Sequence, residues 1–310
     1  MGRLANLGSN PTIIQYAKGA SQAAIAKIAE FLAPTVDVAT MTGQYKVYDA
    51  KHRFKLPKSQ RSVGGRAVQL GFDATDASFN LKANALDAPI DIQESMASED
   101  MESAMMEAAD LVAETAGLIH EKSTVDTAVA ALVAETPDFS ASIDPIKFID
   151  EQILAVLKAT KSGSTMEIGI LMGATCLLKL KNHPLVTKRI INGKGANNVA
   201  VVNEQALKDM FIGNPEVKSS FMVFDDSAEG LAEDIKFLLD TSMIVFARKS
   251  NPTRRDPSFM KTFRLRGKWM VPGTYVRDDG REEVAKFDWH EQIAVTNSAA
   301  AKLITPNFGS

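Results

Sequence analysis

The sequence predicts an α+β fold, and three observations carry that prediction. Residues 44–83 mix alternating apolar and polar positions with turn glycines and show little helical periodicity. A single long helical stretch follows, from about Ser98 to Lys122. Beyond a compact region of mixed helices and strands, the last third is β-rich, with Asp279-Gly280 as a strong hairpin signal.

Taken in order, Ala20 to Leu32 reads as a short amphipathic helix with Ala24, Ile25, Ile28 and Leu32 on one face. Pro34 ends it, and the Val-, Thr- and Tyr-rich stretch that follows is extended. Tyr45, Val47 and Phe54 alternate with polar residues, Gly64-Gly65 predicts a turn, and Ala67 to Phe72 predicts a return strand. Ser98 is a candidate N-cap for the long helix, with Glu99 and Asp100 where the helix dipole favours acids. Met101, Met105, Ala108, Val112 and Ile119 recur at helical spacing and predict its buried stripe. Asp144-Pro145 is a helix start, Ile146, Ile149, Ile153 and Val156 form an apolar face, and Gly163 is the stop. Met166 to Met172 reads as a buried strand, and Ala174 to Lys181 as a helix ending at Asn182-His183-Pro184. Asn203 caps another helix, closed by Gly213, and Phe221 to Phe224, Ile235 to Leu239 and Met243 to Ala247 read as strands. Later, Phe263 and Leu265 alternate with Arg264 and Arg266, and Phe287, Trp289, Ile293 and Val295 share one strand face.

The 310 residues are 45% hydrophobic and 24% charged, ordinary values that allow one elaborated domain or two to three smaller ones. A net charge of −3 excludes a protein that coats nucleic acid through bulk positive charge. The one cysteine, Cys176, excludes an intramolecular disulfide and a cysteine-built zinc site. No apolar run approaches the roughly 18 residues of a membrane span, and the first residues lack a signal peptide's apolar block. The expectation is a reduced, soluble, intracellular protein.

Catalytic chemistry finds no foothold in the sequence. His52, His120, His183 and His290 form no HxxxH or HExxH pattern. His120-Glu121 and His290-Glu291 are chain neighbours, which face different directions on a helix or strand. Cys176 and His183 are too far apart along one helix to pair, so Cys176 reads as a buried, unreactive thiol. Gly193-Lys194-Gly195 lacks the spacing of a phosphate loop and reads as a surface turn. Asp225-Asp226 and Asp278-Asp279 read as solvated loops.

Charge segregation is more informative. From Lys51 to Arg66 there are six basic residues (Lys51, Arg53, Lys55, Lys58, Arg61, Arg66) and no acid. From Glu99 to Glu121 there are seven acids, among them Glu99, Glu102, Glu107, Asp110 and Glu114, and no Lys or Arg. Surface helices ordinarily mix signs to gain i,i+4 pairs. A long two-stranded hairpin is marginal on its own and needs a surface to lie on. Laying the basic hairpin of one copy across the acidic helix of another satisfies both, as a heterologous contact that closes into rings or shells. Exposed pairs contribute only about 0–1 kcal/mol each, so they set register and partner choice.

The order of parts resembles the major capsid proteins of tailed bacteriophages over nearly the full length. The similarity is carried by FLAPTVDV, GQYKVYDA and FKLPKSQRSVGG near the start, and by GILMGATCLLKLKNHPLVTKRI and VVNEQALKDMFIG in the middle. At the end it is carried by DPSFMKTFRLRG, VRDDGREEVAKFDWHEQIAV and KLITP. The resemblance implies an N-terminal arm (1–43), an extended hairpin called the E-loop (44–83), and a peripheral domain with a long spine helix (84–143 and 258–297). A mixed α/β axial domain (144–257 and 298–310) completes it. It implies no enzymatic activity and no cofactor. Copies would assemble as pentamers and hexamers into an icosahedral shell enclosing double-stranded DNA, held by weak non-specific contact. The implied partners are itself, a separate scaffolding protein, a portal and a decoration protein, with no membrane. The shell would be assembled in the bacterial host cytoplasm and reside in the virion. With 43 residues before the E-loop, no large N-terminal cleavage is expected. The basic E-loop block would lie on a neighbour's spine helix, and the tip at Arg277, Asp279 and Arg281 would approach three-fold contacts. Two other readings stay open: an encapsulin-like nanocompartment shell, and a soluble α/β enzyme with an unrecognised site.

Overall fold

The computed structural model describes residues 27–48, 59–60, 64–66, 74–91, 93, 101–160, 166–194, 203–228, 230–254, 256–268 and 271–309. In chain order the elements are α1 (Lys27–Leu32), β1 (Thr35–Val38), β2 (Thr42–Tyr48), β3 (Ala74–Asn80), β4 (Lys82–Asp91) and α2 (Met101–Ala130). Then come β5 (Ala134–Glu135), α3 (Pro145–Thr160), β6 (Glu167–Gly173), α4 (Ala174–Lys181), α5 (Pro184–Lys194), α6 (Glu204–Met210) and β7 (Glu216–Ser220). The remainder is β8 (Val223–Asp225), β9 (Ile235–Phe237), β10 (Met243–Arg248), β11 (Met260–Leu265), β12 (Val271–Val276), β13 (Glu282–Val295) and β14 (Ala301–Ile304). The mixture of separate helical and strand segments is the α+β class that the sequence predicts.

The chain divides into two compact units. One comprises Met1–Gly43, Phe79–Thr127 and Thr262–Ala294; the other comprises Gln44–Ser78, Ala128–Lys261 and Val295–Ser310.

The first unit is a sheet with a long helix on it. Its strands run β1-β11-β13-β12, with β4 also paired to β13. β1 and β11 are parallel, while β13 is antiparallel to both β12 and β4. The 14-residue β13 alternates as predicted: Phe287 and Trp289 point to the core, and β4 presents Leu86, Ala88 and Ile90 beside them. Against this face α2 lays Met105, Ala108, Ala109, Val112, Ala113 and Ala116. The small alanines let the helix approach the rings of Phe287 and Trp289, each of which contributes about 2–3 kcal/mol through burial.

α2 departs from expectation in two ways. It is 30 residues long and runs to Ala130, not to Lys122. The Ser123-Thr124 and Thr127 hydroxyl residues continue it: Thr124 Oγ1 donates to the His120 carbonyl (2.8 Å) and Thr127 Oγ1 to that of Ser123 (2.6 Å), each one turn back. Its buried stripe holds as predicted at Met105, Ala108 and Val112 but not at the far end, where Ile119 is exposed and His120 takes the inward place.

The second unit is built on the sheet β5-β14-β10-β6-β7. β6 and β10 are antiparallel from Met243↔Met172 to Arg248↔Glu167, and both are almost wholly buried. Their uninterrupted apolar runs are those of strands covered on both faces. α3 covers the sheet with Ile146, Ile149, Ile153 and Val156, and the Asp144 carboxylate caps it by accepting from the Ile146 amide (3.1 Å). Gly173 joins β6 to α4 at a point where a Cβ would collide with the backbone carbonyl of Asp240, so no larger residue fits. α6 has the predicted cap, with Asn203 Oδ1 accepting from the Ala206 amide (2.8 Å).

Several local expectations are corrected. β7, with the polar sequence EVKSS, pairs parallel to β6 and was not signalled by periodicity. Phe221 lies outside the strands and is exposed. Gly193 and Lys194 are the end of α5 rather than a turn, and Gly195 lies outside the described residues. β2 pairs with β3, at the base of the excursion. Gly64 has φ +80°, as a turn there requires. Ala24, Ile25, Phe54, the predicted strand Ala67 to Phe72, Ser98 and Gly163 lie outside the described residues.

Candidate assembly surfaces

The inner side of α2 carries a buried polar network. His120 lies one turn beyond Ala116 on the line that faces the sheet, and its Nδ1 is 3.1 Å from Glu291 Oε1. Arg264, from β11, donates through Nη2 to His120 Nε2 (3.0 Å) and through Nε toward Glu291 Oε2 (3.4 Å). Trp289 Nε1 donates to Glu291 Oε1 (3.1 Å). Because a guanidinium only donates, His120 Nε2 accepts and the ring proton sits on Nδ1, pointing at Glu291. Burial alone would raise the Glu291 carboxyl; the His120 hydrogen bond, the Arg264 charge and the Trp289 donor hold it below the ordinary range. Burial likewise lowers Arg264, against the pull of Glu291. These three side chains satisfy one another in the interior and lock helix to sheet.

Neither sequence-adjacent His–Glu pair is the partnership; the cross pair His120–Glu291 is. One signal was present in the sequence. Glu291 falls on the Phe287–Trp289–Ile293 face of β13, where a carboxylate needs a partner. Arg264 sits in a buried strand, not on the polar face that alternation predicts.

Glu121 is also inside. Its Oε2 accepts from the Ala29 amide (2.8 Å), while Oε1 has no hydrogen-bond partner among the described residues. Burial pushes this carboxyl up, against the Ala29 bond. Glu121 therefore does not belong to the acidic outer face.

That outer face holds Glu107 and Glu114, both exposed, with Asp110 half-buried beside them and Leu111 exposed between them. Glu102 lies on α2 with its side chain outside the described part, and Glu99 precedes the described helix. Of the basic block, Arg66 is exposed in a loop, while Lys51, Arg53, Lys55, Lys58 and Arg61 lie outside the described residues.

The β12–β13 turn is self-contained. Gly280 adopts φ +70°, its amide donates to the Arg277 carbonyl (2.8 Å), and the Asp279 carboxylate accepts from the Arg281 amide (3.2 Å). The Arg277 guanidinium pairs with Glu282 across the turn. Arg277 and Asp279 thus have structural tasks within the chain, and Arg277, Asp278, Asp279 and Arg281 are all exposed at the tip.

Cys176, His183, Asp225 and Asp256 have partners or places within the fold, while His52 lies outside the described residues. Cys176 is buried at the start of α4, and burial pushes its thiol up to about 12. His183 lies between α4 and α5, its Nδ1 accepting from the Leu185 amide (3.3 Å) and its Nε2 facing the Ser140 carbonyl (3.2 Å). Asp225 Oδ1 accepts from the Ser227 and Asp234 amides (2.9 Å each), so Asp225 braces a hairpin instead of lying in a loop. In the DPSF segment, Asp256 accepts from Ser258 and pairs with buried Lys261 (3.2 Å). Among the described residues no cluster of His, Cys, Asp or Glu could hold a metal ion, and no helix is long and apolar enough to cross a membrane.

Solved structures share this architecture. A phage-related protein from Bordetella bronchiseptica RB50 covers 96% of this chain and 96% of its own, at 16% identity and a TM-score of 0.68. The mature capsid of bacteriophage PhiM1 covers 92% of this chain and 88% of its own, at 10% identity and a TM-score of 0.57. A virus-like particle from Pyrococcus furiosus covers 94% and 97%, at 9% identity and a TM-score of 0.54. No protein-family model and no curated protein matches the chain. The fold is that of tailed-phage capsid proteins.

Proposed function

We propose that this chain is the major capsid protein of a tailed bacteriophage, a structural subunit and not an enzyme. The observation that carries the reading is agreement over nine-tenths of the chain with a protein that forms a mature phage capsid. Copies self-assemble as pentamers and hexamers into an icosahedral shell around double-stranded DNA. We assign the arm to residues 1–43, the E-loop to 44–83, the peripheral domain to 84–143 and 258–297, and the axial domain to 144–257 and 298–310. A scaffolding protein, a portal and a decoration protein are its proposed partners, the host cytoplasm its place of assembly, and the virion its final location. The slightly negative chain suits a container whose lining must release its DNA.

In this reading the E-loop block of one subunit (Lys51, Arg53, Lys55, Lys58, Arg61, Arg66) lies over the acidic outer face of a neighbour's α2. Glu107 and Glu114 are the accessible acids there, with Glu99, Glu102 and Asp110 alongside. The tip at Arg277, Asp279 and Arg281 approaches the three-fold contact. The chain, expressed with its scaffold, should give uniform shells by negative-stain microscopy. A discrete monomer or dimer at every concentration would refute the function. Reversing Lys55, Lys58 and Arg61 to Glu should block assembly without unfolding the monomer, and Glu102, Asp110 and Glu114 to Lys should restore part of it. Normal shells from the triple reversal would refute the pairing alone.

A nanocompartment shell is the second reading, favoured by the similarity to the Pyrococcus furiosus virus-like particle. Particles that enclose a cargo protein in place of DNA would select it.

A further inference from the structure

A second segregation of charge lies within the second unit, where neither piece belongs to the E-loop or the spine helix. From Phe221 to Asp240 there are six acids (Asp225, Asp226, Glu229, Glu233, Asp234, Asp240) and one lysine, Lys236. From Ala174 to Lys194 there are five basic residues (Lys179, Lys181, Lys188, Arg189, Lys194) and no acid. The first segment holds the β8–β9 hairpin, with Asp240 just beyond it, and the second is the α4–α5 helix pair.

The hairpin also exposes large apolar side chains, and the helix pair exposes Leu178. On the hairpin, Val223 stands opposite Phe237 and Asp225 opposite Ile235, so Val223, Phe237 and Ile235 share one face with a single carboxylate. All three are exposed, and so are Leu231 (72%) near the tip and Phe221 (61%) at the base. A soluble surface seldom gathers five such residues on one short hairpin without a partner. On the helix pair Leu178 is 58% exposed, one residue before Lys179, and Lys181 and Lys188 are exposed.

The hairpin is held in shape in advance. Asp225 bonds the Ser227 and Asp234 amides, and Lys236 pairs with Asp226 (2.6 Å) and Asp234 (2.8 Å). Those hydrogen bonds hold the Asp225 carboxyl below the ordinary range and raise the Lys236 ammonium. A preordered loop loses less entropy on docking. The base of the hairpin is anchored as well, the Ala174 and Cys176 amides at the start of α4 donating to the Leu239 and Asp240 carbonyls (3.2 and 3.0 Å).

We infer that the acidic, apolar β8–β9 hairpin of one copy docks on the basic α4–α5 face of the next, making a head-to-tail contact around a ring. The occupant is a second copy of this chain because a complementary surface, opposite in sign and with an exposed Leu178, is on the same chain. Different patches meeting head to tail close into a ring when the rotation allows. The apolar side chains supply most of the affinity, and the charges select the register. This inference rests on the proposed shell-forming role and assigns one of the contacts that role requires.

The test uses the full chain carrying both Leu231→Cys and Leu178→Cys, assembled with its scaffold and treated with a short bis-maleimide. The native thiol, Cys176, is buried and silent. The docked arrangement gives a ladder of covalent oligomers on a denaturing gel, and neither single variant gives more than a trace. Normal shells that run only as monomer overturn the inference and leave the shell-forming role standing. A wild-type chain that forms no particle under any condition overturns both. As a second measurement, Lys181→Glu with Lys188→Glu should leave the monomer's melting temperature unchanged and raise the concentration needed for assembly about tenfold. An unchanged assembly threshold contradicts the inference.

Discussion

The cluster of His120, Arg264 and Glu291 and the β8–β9 hairpin both concentrate charge, but they solve it differently. In the cluster every charged group is buried and meets its partner on another strand or helix of the same unit. On the hairpin, Lys236 meets Asp226 and Asp234 at the surface, and the apolar side chains beside them face solvent. A buried charge must be neutralised within the chain or the chain does not fold. An exposed one adds little to stability either way. The first kind of residue therefore holds the subunit together, while the second is available to choose what the subunit touches. Substitutions should separate along that line.

Breaking the buried cluster should have the largest effect. Arg264→Ala leaves the Glu291 carboxylate with only neutral donors in the interior, at a cost of about 3–5 kcal/mol. Urea unfolding of the unassembled chain should show that loss. A loss no larger than that of a surface substitution would mean that the cluster is not the lock between α2 and the sheet.

Glu121→Gln probes the same interior with the opposite sign. Burial raises the Glu121 carboxyl above its ordinary value. A carboxyl raised on folding lends stability at low pH and withdraws it as pH climbs through the folded value. The glutamine keeps an acceptor for the Ala29 amide and carries no charge. It should stabilise the chain by about 1 kcal/mol at pH 7 and by much less at pH 4, where the Glu121 carboxyl is mostly protonated whether folded or unfolded. Glu291 behaves conversely: its lowered carboxyl lends stability above the ordinary carboxylate range and loses it as pH falls through the folded value. Thermal melts of the two proteins at both pH values test the sign.

Arg281→Ser should change least, by less than about 0.5 kcal/mol in the isolated subunit, because the turn is held by Gly280, Asp279 and Arg277 instead. A large loss of melting temperature would place Arg281 among the structural residues.

How much of this was legible in the sequence follows the same division. Local chemistry was readable: the Asp144 and Asn203 caps, the end of α4 at Lys181, the glycine turn at 280 and the alternation of Phe287 with Trp289. So was the α+β class, because strand and helix periodicities differ over long stretches. The inward side of α2 was readable at Met105, Ala108 and Val112 but not at its later turns. A step of about 100° per residue separates Ile119 from His120, and hydropathy alone favoured the wrong one. What turns His120 inward is Glu291, 171 residues away, and no periodicity reports so distant a partner. The extension to Ala130 was hidden in residues that favour caps and turns unless their hydroxyls bond back to the preceding turn. β7 was hidden because a polar strand shows its character only when paired with β6. Of the candidate contact residues, sequence could sort charge by sign but could not tell that Glu121 is enclosed or that Arg277 is engaged by Glu282.

The most direct measurement is a cryo-EM reconstruction of the assembled chain. The account predicts residues 51–66 of one subunit lying on the Glu107–Glu114 face of another. A reconstruction in which that face meets only solvent, or in which those basic residues fold back onto acids of their own subunit, would contradict it.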